Sequence, residues 1–246
     1  MEIFKVEGFI LNTTDFGDAN RVVTIYTKDF GKIEVNAYGC RRAKNYLSGV
    51  IQMFNKICAE IKKGSQVDSI RDADILEFYP NLTADIERLS YASIFFEIVN
   101  KMILPKIADV RIYNLLENFL PVINKKNPQI AALIAIAQFM EFTGFQLNFK
   151  NCVRCGKIID DDASLSLTEG GAICESCSHG AIIGFTYKKN LRLTFEKFLN
   201  FDWKSENQIN FSKNQIYSAE KIFFQYVQNI LGQELKSIKF LRQIQG

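Results

Sequence analysis

Two C-x-x-C hooks, Cys152-Val153-Arg154-Cys155 and Cys174-Glu175-Ser176-Cys177, are separated by eighteen residues, and they constrain this chain more than any other feature. A C-x-x-C turn brings two thiolates to one point. Two such turns about fifteen to twenty residues apart supply the four soft ligands that a tetrahedral zinc ion prefers. A four-cysteine site is closed: with no open position for water, it stabilises a fold and does not activate a nucleophile. Gly156 behind the first hook and Gly170-Gly171 ahead of the second allow the positive φ values such turns use. The spacing therefore predicts one structural zinc ion on Cys152, Cys155, Cys174 and Cys177. The competing readings are a pair of disulfides or a thioredoxin-like redox pair, although nothing near either hook has the pattern of a βαβ unit. His179, two residues past the second hook, is an alternative fourth ligand. Asp160-Asp161-Asp162 is a candidate carboxylate metal site, against the plainer reading of a solvated turn.

With 48% hydrophobic and 23% charged residues, the chain has material for real cores, and 246 residues suffice for two or three small domains. The N-terminal stretch carries two acids in its first eight residues, unlike a secretory signal, and the longest apolar run, residues 130–137, is too short to span a bilayer. Cys40 and Cys58 stand apart from each other and from the hooks, which suits a reducing compartment. A cytoplasmic protein is expected. The net charge of +3 conceals a segregation. Residues 21–63 hold nine basic side chains against three acids, and residues 179–246 hold ten against five. Segregation of this kind predicts a surface that meets a polyanion, the alternative being lysines solvated on ordinary faces.

Residues 3–11, 21–27, 32–38, 50–61 and 69–78 are rich in β-branched and aromatic residues, several with period two, and turn formers separate them. Five strands in such a length, with no helix to cover a parallel sheet, predict a small closed barrel, an OB-fold or an SH3-like barrel. After Tyr79-Pro80 the period becomes helical. Helices are expected over 82–104, with Thr83 as N-cap, and over 110–123 and 128–142, then beyond the hooks over 188–201 and 213–231, with a break at 202–210 and a weaker tail at 236–242. The fold class is α+β: a five-stranded barrel followed by a helical bundle with a four-cysteine insertion. No phosphate-binding loop of the Gly-x-x-x-x-Gly-Lys type and no G-x-G-x-x-G after a strand occurs. A binding module is expected ahead of an enzyme, with a zinc-stabilised nuclease and a peptide-binding scaffold as the alternatives.

The segments Val6-Glu-Gly-Phe-Ile-Leu11, Phe16-Gly-Asp-Ala-Asn-Arg21, Phe30-Gly-Lys-Ile33 and Ala37-Tyr-Gly-Cys-Arg41-Arg42-Ala-Lys44, with Asp85-Ile-Glu-Arg-Leu89, Tyr91, residues 139–144 and both hooks, resemble the RecO recombination-mediator family in family order along nearly the whole chain. The resemblance implies an N-terminal OB-fold over 1–79 and a helical domain over 80–246 carrying a zinc insertion at 151–180. It also implies binding of single- and double-stranded DNA, annealing of complementary strands, and help in loading RecA onto strands coated by single-stranded DNA-binding protein (SSB). The implied partners are DNA, RecR, the acidic C-terminal tail of SSB and, indirectly, RecA, at the nucleoid. Tyr38 departs from the Lys or Arg more usual in the family's loop, and Cys40 from its Ala.

Sequence-independent affinity comes from phosphate contacts. Arg21, Lys28, Lys32, Arg41, Arg42, Lys44 and Lys56 are the expected DNA contacts, and Tyr26, Phe30, Tyr38 and Tyr46 are candidate stacking rings. A second basic region, Lys188, Lys189, Arg192 and Lys197 beside Phe185, Leu191, Phe195 and Phe198, is expected to take an acidic peptide with an apolar end. The hook segment itself has only Arg154 and Lys157 against five acids, so it is a poor phosphate clamp.

Overall fold

The period-two stretches pair as β1 (Ile3–Phe16), β2 (Asn20–Thr27), β3 (Gly31–Ala37), β4 (Lys56–Lys62) and β5 (Ser69–Glu77) in a computed structural model that describes residues 2–187, 189–205 and 211–245. β1 lies between β2 and β4, β2 pairs with β3, and β4 pairs with β5, all antiparallel. One parallel bridge, Asn36 to Ser69, joins β3 to β5 and closes the sheet into a barrel of order β1-β2-β3-β5-β4. Its interior is made by the inward half of the alternation: Val6, Ile10, Val23, Ile25, Val35, Ile57 and Ile61, with Ala59 and Ala73 where space is short. Each buried branched side chain contributes about 1.5–3 kcal/mol relative to exposure. Gly31 turns β2 into β3 at φ +64, and a Cβ there would stand 2.1 Å from the Ile107 carbonyl oxygen. Only glycine fits both conditions.

Two details differ from the expected strands. β1 runs on to Phe16, and the fourth strand begins at Lys56 because residues before it coil into a short helix, α1 (Leu47–Val50). Side-chain amides produce that coil: Asn45 Oδ1 accepts from the Leu47 N–H at 3.0 Å, and Asn55 Nδ2 donates to the Gly49 and Val50 carbonyls at 3.2 and 3.0 Å.

Beyond the barrel come α2 (Pro80–Ala84), α3 (Ile86–Met102) and α4 (Val110–Ile123). Asp85 caps α3 by accepting from the Glu87 and Arg88 N–H groups. Thr83, the expected cap, instead donates to the Pro80 carbonyl. α3 is buried on most sides, packing Phe96 on Phe54 and Phe95 on Phe119 at 4.9 and 4.8 Å between ring centres. Chain contacts accordingly divide the molecule into residues 1–125 and 126–246. The first unit keeps three helices, α2, α3 and α4, that the change of period at residue 80 assigned to the later body.

The second unit is built on α5 (Pro128–Phe142), which is apolar and buried nearly all round and therefore needs cover on every side. α6 (Lys189–Leu199) and α7 (Lys213–Leu231) pack on it, and α8 (Lys236–Gln245) follows. Gln138 resolves the polarity of this core. Its Nε2 donates to the carbonyls of Phe198, Leu199 and Phe201, and its Oε1 accepts from Trp203 Nε1 at 2.6 Å. Between α5 and α6 lies a small sheet, β6 (Ala163–Ser166), β7 (Gly171–Ile173) and β8 (Phe185–Tyr187), in the order β7-β6-β8. Of the expected break at 202–210, residues 206–210 lie outside the described residues. No helix among the described residues is long and apolar enough to cross a membrane.

Candidate functional site

The expected phosphate contacts do not share one environment. Arg41, Arg42 and Lys44 stand exposed on the loop between β3 and α1. Gly39 opens this loop at φ +65, and Lys44 itself occupies the left-handed region at φ 70. The loop is fastened to the tip of the β1–β2 hairpin: the Gly39 N–H donates to Asn20 Oδ1 at 2.8 Å and the Arg41 N–H to the Ala19 carbonyl at 3.0 Å. Arg21 on β2 and Arg41 both reach Asp15 at the end of β1, Arg21 Nε at 2.7 Å and Arg41 Nε at 3.2 Å. The Arg21 guanidinium, with Arg41 beside it, holds the Asp15 carboxyl below the usual carboxylate range. Tyr38 is exposed on the same loop, its ring edge-on to Phe16 at 6.2 Å. Tyr46 is exposed nearby and donates to Asp72. Lys28 and Phe30 are exposed at the other turn, between β2 and β3.

Two of the seven cations and one of the four rings are not surface groups. Lys32 is buried, and its Nζ donates to the Asn100 carbonyl at 2.5 Å; burial pushes its pKa down. Lys56 is buried among three carboxylates, Glu117 at 2.7 Å, Glu7 at 3.0 Å and Glu77 at 3.5 Å, and against the rings of Phe9 and Tyr113. Burial opposes its charge, but the hydrogen bonds to Glu117 and Glu7 prevail and raise it above the ordinary lysine range. Tyr26 is fully buried, with its hydroxyl bonded to the N–H and carbonyl of Asp109. These three side chains hold the first unit together and cannot meet a strand from outside. The sequence missed Asp15. The signal was present, because Asp15 and Arg21 are opposite charges in directly paired register positions.

The hooks converge. The sulfurs of Cys152, Cys155, Cys174 and Cys177 all lie within 4.8 Å of one another, and Cys155 and Cys174 are 3.7 Å apart. A tetrahedron with metal–sulfur bonds of about 2.3 Å has edges of about 3.8 Å, so the spacing fits a metal ion. The Cys174 N–H points at Cys152 Sγ at 3.4 Å, a contact that favours a thiolate. Cys152 is lowered to about 6 although burial opposes it, because the N–H groups of Cys174, Cys155 and Arg154 favour its anion. Cys177 is pushed up to about 12 by hydrogen bonds to Cys174 and Cys155. Four thiols this close cannot all ionise without a cation among them. His179 is exposed and lies outside the cluster, and the Asp160 to Asp162 run is exposed. Arg154, inside the first hook, clasps the second: it forks onto Glu169 at 2.7 and 2.8 Å and donates to the carbonyls of Cys177 and His179.

In the second basic region Lys188 lies outside the described residues, and Lys189 is exposed at the start of α6. Arg192 donates to the Ile159 carbonyl at 2.8 Å and borders a pocket of about 480 Å³ with Leu147, Phe149 and Lys150. Phe195, expected to floor a groove, is buried and stacks on Phe149 at 4.2 Å between ring centres. It belongs to the core.

Residues 1–79 match the family model described as Recombination protein O N terminal, and residues 83–239 match Recombination protein O C terminal. The chain belongs to the RecO family. Curated proteins named DNA repair protein RecO align along it. That of Caldicellulosiruptor bescii is 27% identical over the whole of both chains. That of Alkaliphilus metalliredigens is 31% identical over 77% of each, and that of Halalkalibacterium halodurans is 26% identical over 98% of this chain and 95% of its own. Membership in the RecO family supports a role in DNA repair.

Proposed function

We propose that this RecO-family chain is a recombination mediator that grips DNA by its backbone. It binds single and double strands, anneals complementary strands, and helps load RecA onto strands coated by SSB, acting with RecR in the cytoplasm at the nucleoid and leaving the DNA uncut. The observation that carries the reading is the exposed loop of Arg41, Arg42 and Lys44 beside Tyr38, on a barrel whose strand order and closure suit an OB-fold. Guanidiniums fork onto phosphate oxygens and a ring stacks on any base, so neither consumes a pairing edge. That is what annealing requires. Arg21 and Lys28 extend the cationic surface; Lys32 and Lys56 do not take part.

The metal that the four cysteines suit best is zinc, held as a closed tetrathiolate whose work is to fasten residues 151–180 and not to react. The acidic tail of SSB is assigned to the second unit, where Lys150 and Arg192, together with Glu141 and Glu196, line a pocket over Leu147 and Phe149 and Lys189 is exposed.

Replacing Arg41 and Arg42 together by Ala is expected to weaken oligonucleotide binding and flatten the plot of log affinity against log salt by about 0.7 per lost single-strand phosphate contact, with melting temperature close to wild type. A strand-annealing assay on the same sample, with its zinc content measured and Mg²⁺ added, completes the test. An unchanged slope removes the loop from the interface, and cut product replaces the mediator with a nuclease.

A further inference from the structure

Asp15 lies between two of the cations of the basic surface. Its two oxygens are shared between two guanidiniums, Oδ1 with Arg21 and Oδ2 with Arg41. The arrangement is built and not accidental: Asp15 and Arg21 face each other across the β1–β2 ladder, and the Arg41 backbone is tied to the same hairpin through Ala19. Beside this occupied pair, Arg42 and Lys44 are exposed and make no ion pair among the described residues. The loop thus presents cations of two kinds, two already satisfied from within and two waiting.

We propose that Asp15 is a positioning residue that mimics a bound phosphate, holding Arg21 and Arg41 in place and competing with DNA for them. The proposal rests on the reading of this loop as a DNA surface. A free phosphate or a mononucleotide gains little by replacing one anion with another. A strand that reaches Arg42 and Lys44 as well replaces Asp15 and keeps the additional contacts, so the loop selects a run of phosphates over a single one. When a strand leaves, the carboxylate returns and the guanidiniums are never left bare. Such a competitor lowers affinity in exchange for discrimination and release, which suits a protein that must hand its strands on.

The test uses the full chain and a fluorescent oligothymidylate, titrated across salt, with thymidine monophosphate as the single-phosphate probe. Asp15→Asn is expected to tighten oligonucleotide binding about two- to fivefold, the range of an exposed ion pair, and to steepen the salt slope by about 0.7 for each guanidinium freed. It should also make thymidine monophosphate a measurable competitor. Asp15→Thr, suited to the strand, provides a second neutral variant, and Asp15→Glu should stay near wild type. Asp18→Asn is the control: Asp18 is exposed at the same hairpin tip and forms no ion pair among the described residues. The idea is overturned if both neutral variants bind no more tightly than wild type. It is equally overturned if Asp18→Asn gains as much, which would be net charge alone, or if the gain survives when Arg21 and Arg41 are both Ala. Arg42→Ala, which does not touch Asp15, separates the two levels. No loss of binding there sinks the loop as a DNA surface, whereas a loss accompanied by a flat Asp15 series sinks only the competitor.

Discussion

At the scale of single residues, charge counted along the chain differs from charge presented to a partner. Lys32 and Lys56 share the sequence window of Arg41, Arg42 and Lys44, yet their positions on β3 and at the start of β4 turn their stems into the first unit, where each amine finds a carbonyl or carboxylates. On the loop only Arg41 finds a carboxylate, that of Asp15, while Arg42 and Lys44 form no ion pair among the described residues. Lys44 offers the clearest test, because its φ of 70 suits glycine better than any side chain. Lys44→Gly trades the left-handed cost of about 1 kcal/mol for a similar loss of chain entropy, so stability should move by less than about 0.5 kcal/mol. Oligonucleotide affinity should nevertheless fall and the salt slope flatten by about 0.7. A fluorescence titration beside a thermal melt checks both; unchanged binding would place Lys44 outside the interface. The basic loop was legible because glycine and consecutive arginines announce an exposed turn. The interior role of Lys32, Lys56 and Tyr26 was not, since it depends on partners at Asn100, Glu117 and Asp109 that are distant in sequence.

At the scale of elements, the hooks could be read from spacing alone, because four thiols in two tight turns have few other ways to be satisfied. Their fastening could not. Arg154 counts as one of two basic residues in the segment, yet it is spent on Glu169 and on the carbonyls of Cys177 and His179. It acts as an outer clasp that orients one hook relative to the other. Arg154→Ala is therefore expected to weaken metal retention roughly ten- to hundredfold, the usual effect of losing an outer-shell partner, as measured against a competing chelator. Oligonucleotide affinity should be untouched; a loss of DNA binding with metal still held would make Arg154 a DNA contact instead. The helices show the opposite balance. Their existence followed from period, but the attachment of α3 and α4 to the barrel came from Phe54, Phe95, Phe96 and Phe119, whose ring contacts no local pattern records.

At the scale of the whole molecule, each unit carries its own polar keystone, and the two respond to different perturbations. In residues 126–246 it is Gln138 with Trp203, the only tryptophan, so indole fluorescence reports on that unit. In residues 1–125 it is Lys56, where β1, β4 and β5 meet α4 through Glu7, Glu77 and Glu117. The hydrogen bonds from Tyr113 and Lys56 hold the Glu7 carboxyl below the ordinary range. Its contribution to stability is therefore present above the unfolded value of about 4.3 and is lost as pH falls through the lower folded value. Lys56 carries a raised pKa, so it stays protonated through the acid and neutral range and its own titration removes stability only in strong base. Lys56→Met should invert the acid response. Three carboxylates left without their cation repel one another and destabilise the first unit by about 2 kcal/mol at neutral pH; protonation of Glu7, no longer held down by Lys56, relieves that repulsion, so stability is regained as pH falls from about 7 towards 5. Amide hydrogen exchange in β1 and β4 reads that change, while Trp203 fluorescence reads the other unit. If the variant instead loses protection on acidification as the wild type does, Lys56 is not what keeps these carboxylates together.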